Sequence, residues 1–277
     1  MRQRRPSVRL EQKWPGRKAG LTLIEVLVVI GIIGILATVY FPVVGPPKTK
    51  SRMAMCMGNL RQLNRSWLQY SEDFRTELPN NPILPGTNYD TPAWVYGNLK
   101  SQTGSHDRKA IQQGQLWKYC PDLRCYQCPS AGMPTNIASI TSRIRSYSMN
   151  CYMHGVDFAA KMPPVLIGDY RVNVKMSDIV WPGPSKALVF LEENENRIDD
   201  GQFGFHPDPA CNTWYDAPAL WHGKISNLSF ADGHVELVHW KNPSTLTLNG
   251  SYTSIDAPFD DLRQLQGAIA TRAGEAK

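Results

Sequence analysis

Beyond its first twenty residues, the chain lacks a surplus of either charge. The formal net charge is +6, but seven of the 30 Lys and Arg residues and one of the 24 Asp and Glu residues precede Leu21. Residues 21–277 are therefore formally neutral. This argues against a nucleic-acid partner, because such binding depends on clustered positive charge.

The chain also lacks the common catalytic motifs. It contains no G-x-S-x-G nucleophile motif, no glycine-rich phosphate loop and no H-E-x-x-H metal motif. His222 and His234 with Asp232 could form an acid–base pair, but a β-hairpin already explains Asp232 and Gly233. We therefore expect no catalytic residues and no enzymatic activity.

The sequence does contain a basic leader followed by a long apolar run. Residues 1–20 hold the surplus positive charge, and residues 26–44 carry no charged side chain. A helix of that length, at about 1.5 Å per residue, approaches the ~30 Å hydrocarbon core of a bilayer. Because positive charge before a span resists translocation, we expect a single-pass protein with a cytoplasmic N-terminus.

Two residues at the junction are unusual for a secretory signal. Gly20 precedes the apolar run, so cleavage there would remove the leader and keep the helix, the reverse of signal-peptide processing. Glu25 lies early in the run, where a charge costs roughly 2.5 to 3.5 kcal/mol on insertion scales. The carboxylate therefore indicates a protein partner; the alternative is a plain signal anchor with an incidental Glu.

Gly20, Leu21 and Glu25 together resemble the processing site of type IV prepilins and type II secretion pseudopilins, which usually have Phe in place of Leu21. The resemblance implies cleavage between Gly20 and Leu21 by a prepilin peptidase and N-methylation of Leu21. It also implies extraction of the helix from the bacterial inner membrane into a helical homo-oligomer. There Glu25 would neutralise the N-terminal amine of a neighbouring subunit and set the axial register. Pro42 falls where these pilins kink.

Segments farther along resemble a large-headed subgroup of Planctomycetes and Verrucomicrobia, closest to the major (G-type) pseudopilin. They are MGNLRQLNRSWLQYSEDF at 57–74, CPS at 128–130, RSYSMN at 145–150, IDDGQF at 198–203 and WHGKISNLSFADGHVELVHW at 221–240. The resemblance implies a structural subunit of a periplasmic pseudopilus that supports protein secretion, with the inner-membrane platform and other pseudopilins as partners. A minor or surface type IV pilin with an adhesive or binding head is the alternative.

The expected fold is α+β and pilin-like, with a long, kinked N-terminal helix packed on a head that contains an antiparallel sheet. Its parts are a leader at 1–20, which is removed, a transmembrane and filament-core helix at 21–44, an amphipathic continuation at 45–78 and a periplasmic head at 79–277.

The amphipathic continuation is predicted from apolar side chains at three- and four-residue spacing. These are Met53, Cys56, Met57, Leu60, Leu63, Trp67, Tyr70 and Phe74. We expect Arg52, Arg61, Asn64 and Arg65 on the opposite, solvent-facing side.

Strands are predicted in the second half of the head. Residues 186–192 form a short apolar run typical of a buried strand. Residues 228–230 and 235–240 flank Asp232-Gly233, a hairpin signal in which both turn residues favour positive φ. Residues 79–134 show no clear pattern, and residues 243–277 are expected to be polar and loosely held.

Six cysteines leave three interpretations open: disulfides, free buried thiols or a zinc site. An oxidising compartment favours disulfides, with Cys120, Cys125, Cys128 and Cys151 as candidates. The same four thiols could instead hold zinc in tetrahedral geometry.

An acidic loop around residues 192–200 is a candidate calcium site, since calcium prefers carboxylate oxygens in flexible loops. The resemblance supports this, because the major pseudopilin family has a calcium-stabilised head. Glu193, Asp200 and Asp232 would be the ligands, and solvated acids on a surface turn are the alternative. We expect no required cofactor.

Overall fold

The structure is a computed structural model of the chain. It describes residues 20–44, 47–83, 89–132, 143–155, 172–248, 253–255 and 258–268, without the side chains of 37–44, 47–49 and 254. Apart from Gly20, the leader expected at 1–20 lies outside these residues. Contacts divide the chain into two units, residues 1–47 and 48–277, which are treated separately below.

The first unit contains helix α1, Leu23–Val44. Its backbone remains helical through Pro42 to Val44, and the kink expected at Pro42 stays a prediction. Among the residues that the structure describes, no helix combines the length and the apolar character needed to cross a membrane. The membrane span expected over residues 21–44 therefore also stays a prediction.

Helix α2, Pro47–Asp73, confirms the amphipathic prediction. The apolar face is buried over its central turns, at Cys56, Leu60, Leu63, Trp67 and Tyr70. The face does not extend to its predicted end, because Phe74 is 46% exposed and stacks on Tyr70 instead.

The end of α2 differs from the predicted boundary at residue 78. Arg75 and Thr76 both take positive φ, at 52° and 71°, so the chain leaves helical geometry directly after Phe74. The prediction that Asn64 faces solvent is also wrong. Asn64 is fully buried, and its side-chain amide donates to the carbonyl of Phe230 at 2.8 Å. The face of α2 that meets the head is therefore wider than its apolar residues alone indicate.

The head is built on a five-stranded sheet with the order β3-β1-β2-β5-β6. The strands are β1 Tyr147–Asn150, β2 Leu188–Glu192, β3 Gln202–Phe203, β5 Ile225–Phe230 and β6 Val235–His239. A separate pair joins β4, Thr213–Trp214, to β7, Thr253–Ser254. The predicted strand at 186–192 is confirmed by β2. The sheet is mixed rather than wholly antiparallel, because β1 and β3 run parallel.

Strands β5 and β6 form the predicted hairpin, but the turn differs from the expected one. Ser229 pairs with Val235, and the Gly233 N–H donates to the carbonyl of Phe230 at 2.9 Å. Positive φ occurs at Gly233 (98°) but not at Asp232. The connection therefore resembles a turn followed by a left-handed glycine, the alternative that longer hairpin loops use.

Two buried clusters lie around the sheet. One joins α2 to β1 and β2 and includes Leu63, Trp67, Tyr147 and Phe190. The other joins β3, β5 and β6 to residues near the C-terminus. Strand β2 contributes to both clusters, which explains why it reads as a continuous apolar run.

The two segments without a sequence pattern also have structure. Residues 79–134 contain the short helices α3, Gln102–His106, and α4, Arg108–Gln112, and the 3-10 turn Leu123–Tyr126. Farther on lie α5, Pro243–Leu246, and α6, Asp260–Gln266. Leu262 and Leu265 of α6 are fully buried, so the expectation of a loosely held C-terminal segment is wrong for α6.

Candidate processing and assembly site

A reciprocal capping interaction fixes Glu25 at the start of α1. The Thr22 N–H and the Thr22 hydroxyl each donate to Glu25 Oε2 at 2.8 Å, while the Glu25 N–H lies 3.4 Å from Thr22 Oγ1. This is a capping box, which satisfies N–H groups that the first helical turn leaves without partners. The carboxylate is therefore held at the N-terminal end of the helix.

The predicted cleavage bond is open to its surroundings. Leu21 is 76% exposed, and a side-chain carbon added at Gly20 would meet no atom within 4 Å. Packing among the described residues does not explain the glycine. The geometry leaves room for an enzyme to approach the bond between Gly20 and Leu21.

The apolar side chains of α1 that the structure describes are exposed on every side of the helix. Their exposed fractions range from 48% at Val26 to 81% at Leu23. At Gly31 and Gly34 an added side-chain carbon likewise meets no described atom within 4 Å outside the backbone of the helix itself and the neighbouring residues. An apolar surface of this kind is unfavourable in water and favours contact with lipid or with another protein.

The prokaryotic N-terminal methylation motif matches residues 15–41 of the chain. The match supports a type IV prepilin-like protein, with cleavage and methylation at its N-terminus, and indicates a structural subunit rather than an enzyme. Because it ends at residue 41, it does not distinguish a secretion pseudopilin from a pilin. No curated protein and no solved structure gives a significant match to the chain.

The three proposed calcium ligands do not come together. Asp232 lies in the β5–β6 turn, beside the Leu188 end of β2, whereas Glu193 follows the opposite end of that strand. Five residues of strand span about 16 Å, but ligands of one calcium ion lie within ~5 Å of each other. Glu193, Asp200 and Asp232 therefore cannot form one site, and this prediction is wrong.

The acidic loop is not a solvated surface turn either. Glu193 is fully buried and accepts a hydrogen bond from the Ser148 hydroxyl. Burial raises its pKa well above the usual range. Asp199 pairs with Lys100 at 2.7 Å, and Asp200 accepts from the Gln202 N–H at 2.8 Å. These acids serve the internal structure of the head.

The disulfide prediction is also wrong, because all six cysteines are free thiols. The alternative zinc set fails as well, since Cys120, Cys125 and Cys128 belong to the α2 cluster while Cys151 belongs to the other. Of the three interpretations, free buried thiols describe Cys120, Cys125 and Cys151.

One cluster of potential metal ligands was not predicted from the sequence. Cys128 lies beside Cys56, Glu192 and His222, and their side-chain donor atoms all fall within 4.8 Å of one another. These residues are far apart in the sequence, so no compact metal-binding motif reveals them.

His222 and Asp232 lie beyond opposite ends of β5, so these two do not pair. His234 does contact Asp232, with Nδ1 2.6 Å from Oδ1, in the exposed β5–β6 turn.

Proposed function

We propose that the chain is a structural subunit of a type II secretion pseudopilus, made as a prepilin. Cleavage after Gly20 and N-methylation of Leu21 precede polymerisation through α1 at the inner membrane, and the resulting periplasmic filament supports protein secretion. The observation that carries the proposal is the methylation motif at residues 15–41, which includes most of α1 and its exposed apolar side chains.

Glu25 has a specific role in this proposal. Cleavage leaves a new amine on Leu21, and the carboxylate of Glu25 in a neighbouring subunit neutralises it. Because an unpaired charge in a low-dielectric filament core is costly, a subunit out of register is disfavoured. The capping box supports this role, since it keeps the carboxylate at the helix end where the amine of a neighbour arrives.

The test separates the charge of Glu25 from its capping role. Glu25→Gln removes the charge but keeps a residue that still completes a capping box. Thr22→Val removes the capping hydroxyl and keeps the charge. In a bacterial host that supplies the prepilin peptidase and assembly platform, we expect both variants to be cleaved. Glu25→Gln should lose most filaments, whereas Thr22→Val should keep them, as measured by filament yield after shearing and by electron microscopy.

Normal filament yield from Glu25→Gln would contradict the register role. If Thr22→Val alone lost its filaments, helix capping rather than charge would be the property that assembly requires.

The location of the filaments tests the secretion role. A pseudopilus stays beneath the outer membrane, so antibodies against the head should label filaments only after that membrane is opened. Labelled filaments outside intact cells would contradict the secretion role and favour the alternative of a surface pilin with a binding head.

A further inference from the structure

Four potential metal ligands converge inside the head from four separate segments. Cys56 lies on α2, Cys128 follows the 3-10 turn Leu123–Tyr126, Glu192 ends β2, and His222 precedes β5. None is more than 6% exposed. The cluster stands apart from the N-terminal site and is not explained by processing or assembly.

We propose that Cys56, Cys128, Glu192 and His222 bind a structural zinc ion. Cys128 Sγ lies 3.4 Å from His222 Nε2, and His222 Nε2 lies 3.2 Å from Glu192 Oε1. Zinc bonded to sulfur, nitrogen and oxygen at its usual lengths places tetrahedral ligands about 3.3 to 3.8 Å apart. Two edges of the tetrahedron are therefore already close to that geometry.

The third measured edge is shorter. Cys56 Sγ donates to Glu192 Oε1 at 2.6 Å, a hydrogen bond that requires the thiol proton. Zinc binds the thiolate, so it would replace this proton and open the contact by about 1 Å. A small rotation of either side chain provides that movement.

The donor set favours zinc over other common metals. Two thiolates and an imidazole are soft or borderline ligands, which calcium and magnesium avoid. The set supplies four protein ligands in a buried position, as structural zinc sites do, whereas catalytic sites keep one position for water. We therefore assign the site a structural role.

Neighbouring groups orient three of the four ligands, as they do around known metal centres. His222 Nδ1 has no hydrogen-bond partner among the described residues. The Asn227 backbone N–H donates to Glu192 Oε2 at 3.0 Å, and its side-chain amide donates to Oε1 at 2.9 Å. The Ser130 N–H points at Cys128 Sγ at 3.4 Å, and Tyr147 Oη lies 3.0 Å from Cys56 Sγ. Glu192, Cys128 and Cys56 are thus held in place by the surrounding sheet and loop.

The site lies where α2 packs on the sheet. Cys56 is on α2, whereas Glu192 is on the central strand β2 and His222 leads into the adjacent strand. A bound ion would fasten the helix to the sheet at the N-terminal part of the buried face. Zinc would then hold the head against α2 while α1 takes part in assembly.

The first measurement is the metal content of the full chain, purified in mild detergent without chelator. We expect about one zinc per chain by mass spectrometry of the elements. Chelation should lower the melting temperature by about 10 °C, the size expected for a tightly bound ion at saturation. Added zinc should restore it. Cobalt substituted for zinc should give the absorption bands of a tetrahedral thiolate complex.

Variants then locate the site. Cys56→Ser and His222→Gln should each weaken zinc binding by more than about 100-fold, and Asn227→Ala by about 10- to 100-fold, the range seen for groups that orient ligands. Cys120→Ser is the matched control, since Cys120 is buried in the same core outside the cluster. It should bind zinc like the unmodified chain.

Three outcomes would overturn the proposal. The unmodified chain could be folded without zinc and gain no stability from added zinc. Zinc content could be equal in Cys56→Ser and Cys120→Ser. A disulfide between Cys56 and Cys128, detected as a loss of two hydrogens in the intact mass, would also overturn it. Because the first and third outcomes use the unmodified chain, the test does not depend on a variant folding.

Discussion

Helices α1 and α2 are consecutive in the chain but differ in the exposure of their apolar side chains. In α1, Leu23, Leu27 and Ile30 are all more than half exposed, and apolar residues surround the helix. In α2, Leu63 and Trp67 are fully buried, while Arg61 and Arg65 face outward. The hydrophobic effect therefore stabilises α2 within its own unit, whereas the described apolar side chains of α1 remain exposed.

The difference separates two kinds of stability. Burial of the α2 face contributes to the folding of its own unit, whereas the described apolar side chains of α1 are exposed and contribute no such burial. Substitutions in α2 should therefore change the free energy of unfolding of the head. Substitutions in α1 should change assembly.

Trp67→Ala should have the largest effect on folding. Trp67 is fully buried in the cluster that joins α2 to the sheet, and its removal leaves a large cavity. We expect a loss of about 3 to 5 kcal/mol in the free energy of unfolding, measured by denaturant titration of the full chain. Exposed Gln69 on the same helix provides the control, and Gln69→Ala should change stability by less than about 0.5 kcal/mol. Equal stability of the two variants would contradict the claim that burial of the α2 face stabilises the head.

Asn64→Ala should have a smaller effect that tests the polar part of the same face. The variant leaves the buried carbonyl of Phe230 without the hydrogen bond that Asn64 donates at 2.8 Å. That carbonyl still accepts from the Gly233 N–H at 2.9 Å, so we expect only the net loss of one hydrogen bond, about 0.5 to 1.5 kcal/mol. Arg65→Ala, one residue farther and exposed, is the control for the same titration. If both variants unfolded alike, the Asn64 bond would not stabilise the head.

Ile30→Ser should have the smallest effect on folding. Ile30 is 56% exposed, so its truncation removes little buried surface within the chain. We expect the stability of the head to change by less than about 0.5 kcal/mol, while filament yield falls strongly. A loss of stability comparable to that of Trp67→Ala would show that Ile30 belongs to the folded core. It would contradict the difference between α1 and α2.

Local sequence patterns were sufficient to predict the features that depend on neighbouring residues. The apolar spacing in α2 and the run at 186–192 both gave the correct elements. The capping box at Thr22 was overlooked, although its signal, a Thr followed three residues later by Glu, is present in the sequence. Asn64 was assigned to the wrong face because a buried amide follows no hydrophobic periodicity.

Features that depend on long-range packing could not be predicted in this way. The parallel pairing of β1 with β3 joins segments separated by the whole of β2. Cys56 lies on α2 and His222 lies 166 residues farther along the chain (222 − 56), and only the folded sheet brings them together. The calcium prediction was wrong for the same reason, because the direction of β2 separates Glu193 from Asp232.

The central claim is that the chain is processed between Gly20 and Leu21 to free α1 for assembly. The most direct measurement is the N-terminal peptide mass of the chain after expression with a prepilin peptidase and its methylating activity. The account predicts a chain beginning with N-methylated Leu21, and an intact leader in Gly20→Val, at a position where an added side-chain carbon meets no described atom within 4 Å beyond its chain neighbours. An unmodified chain that keeps its leader, or a shortened Gly20→Val chain beginning at Leu21, would contradict it.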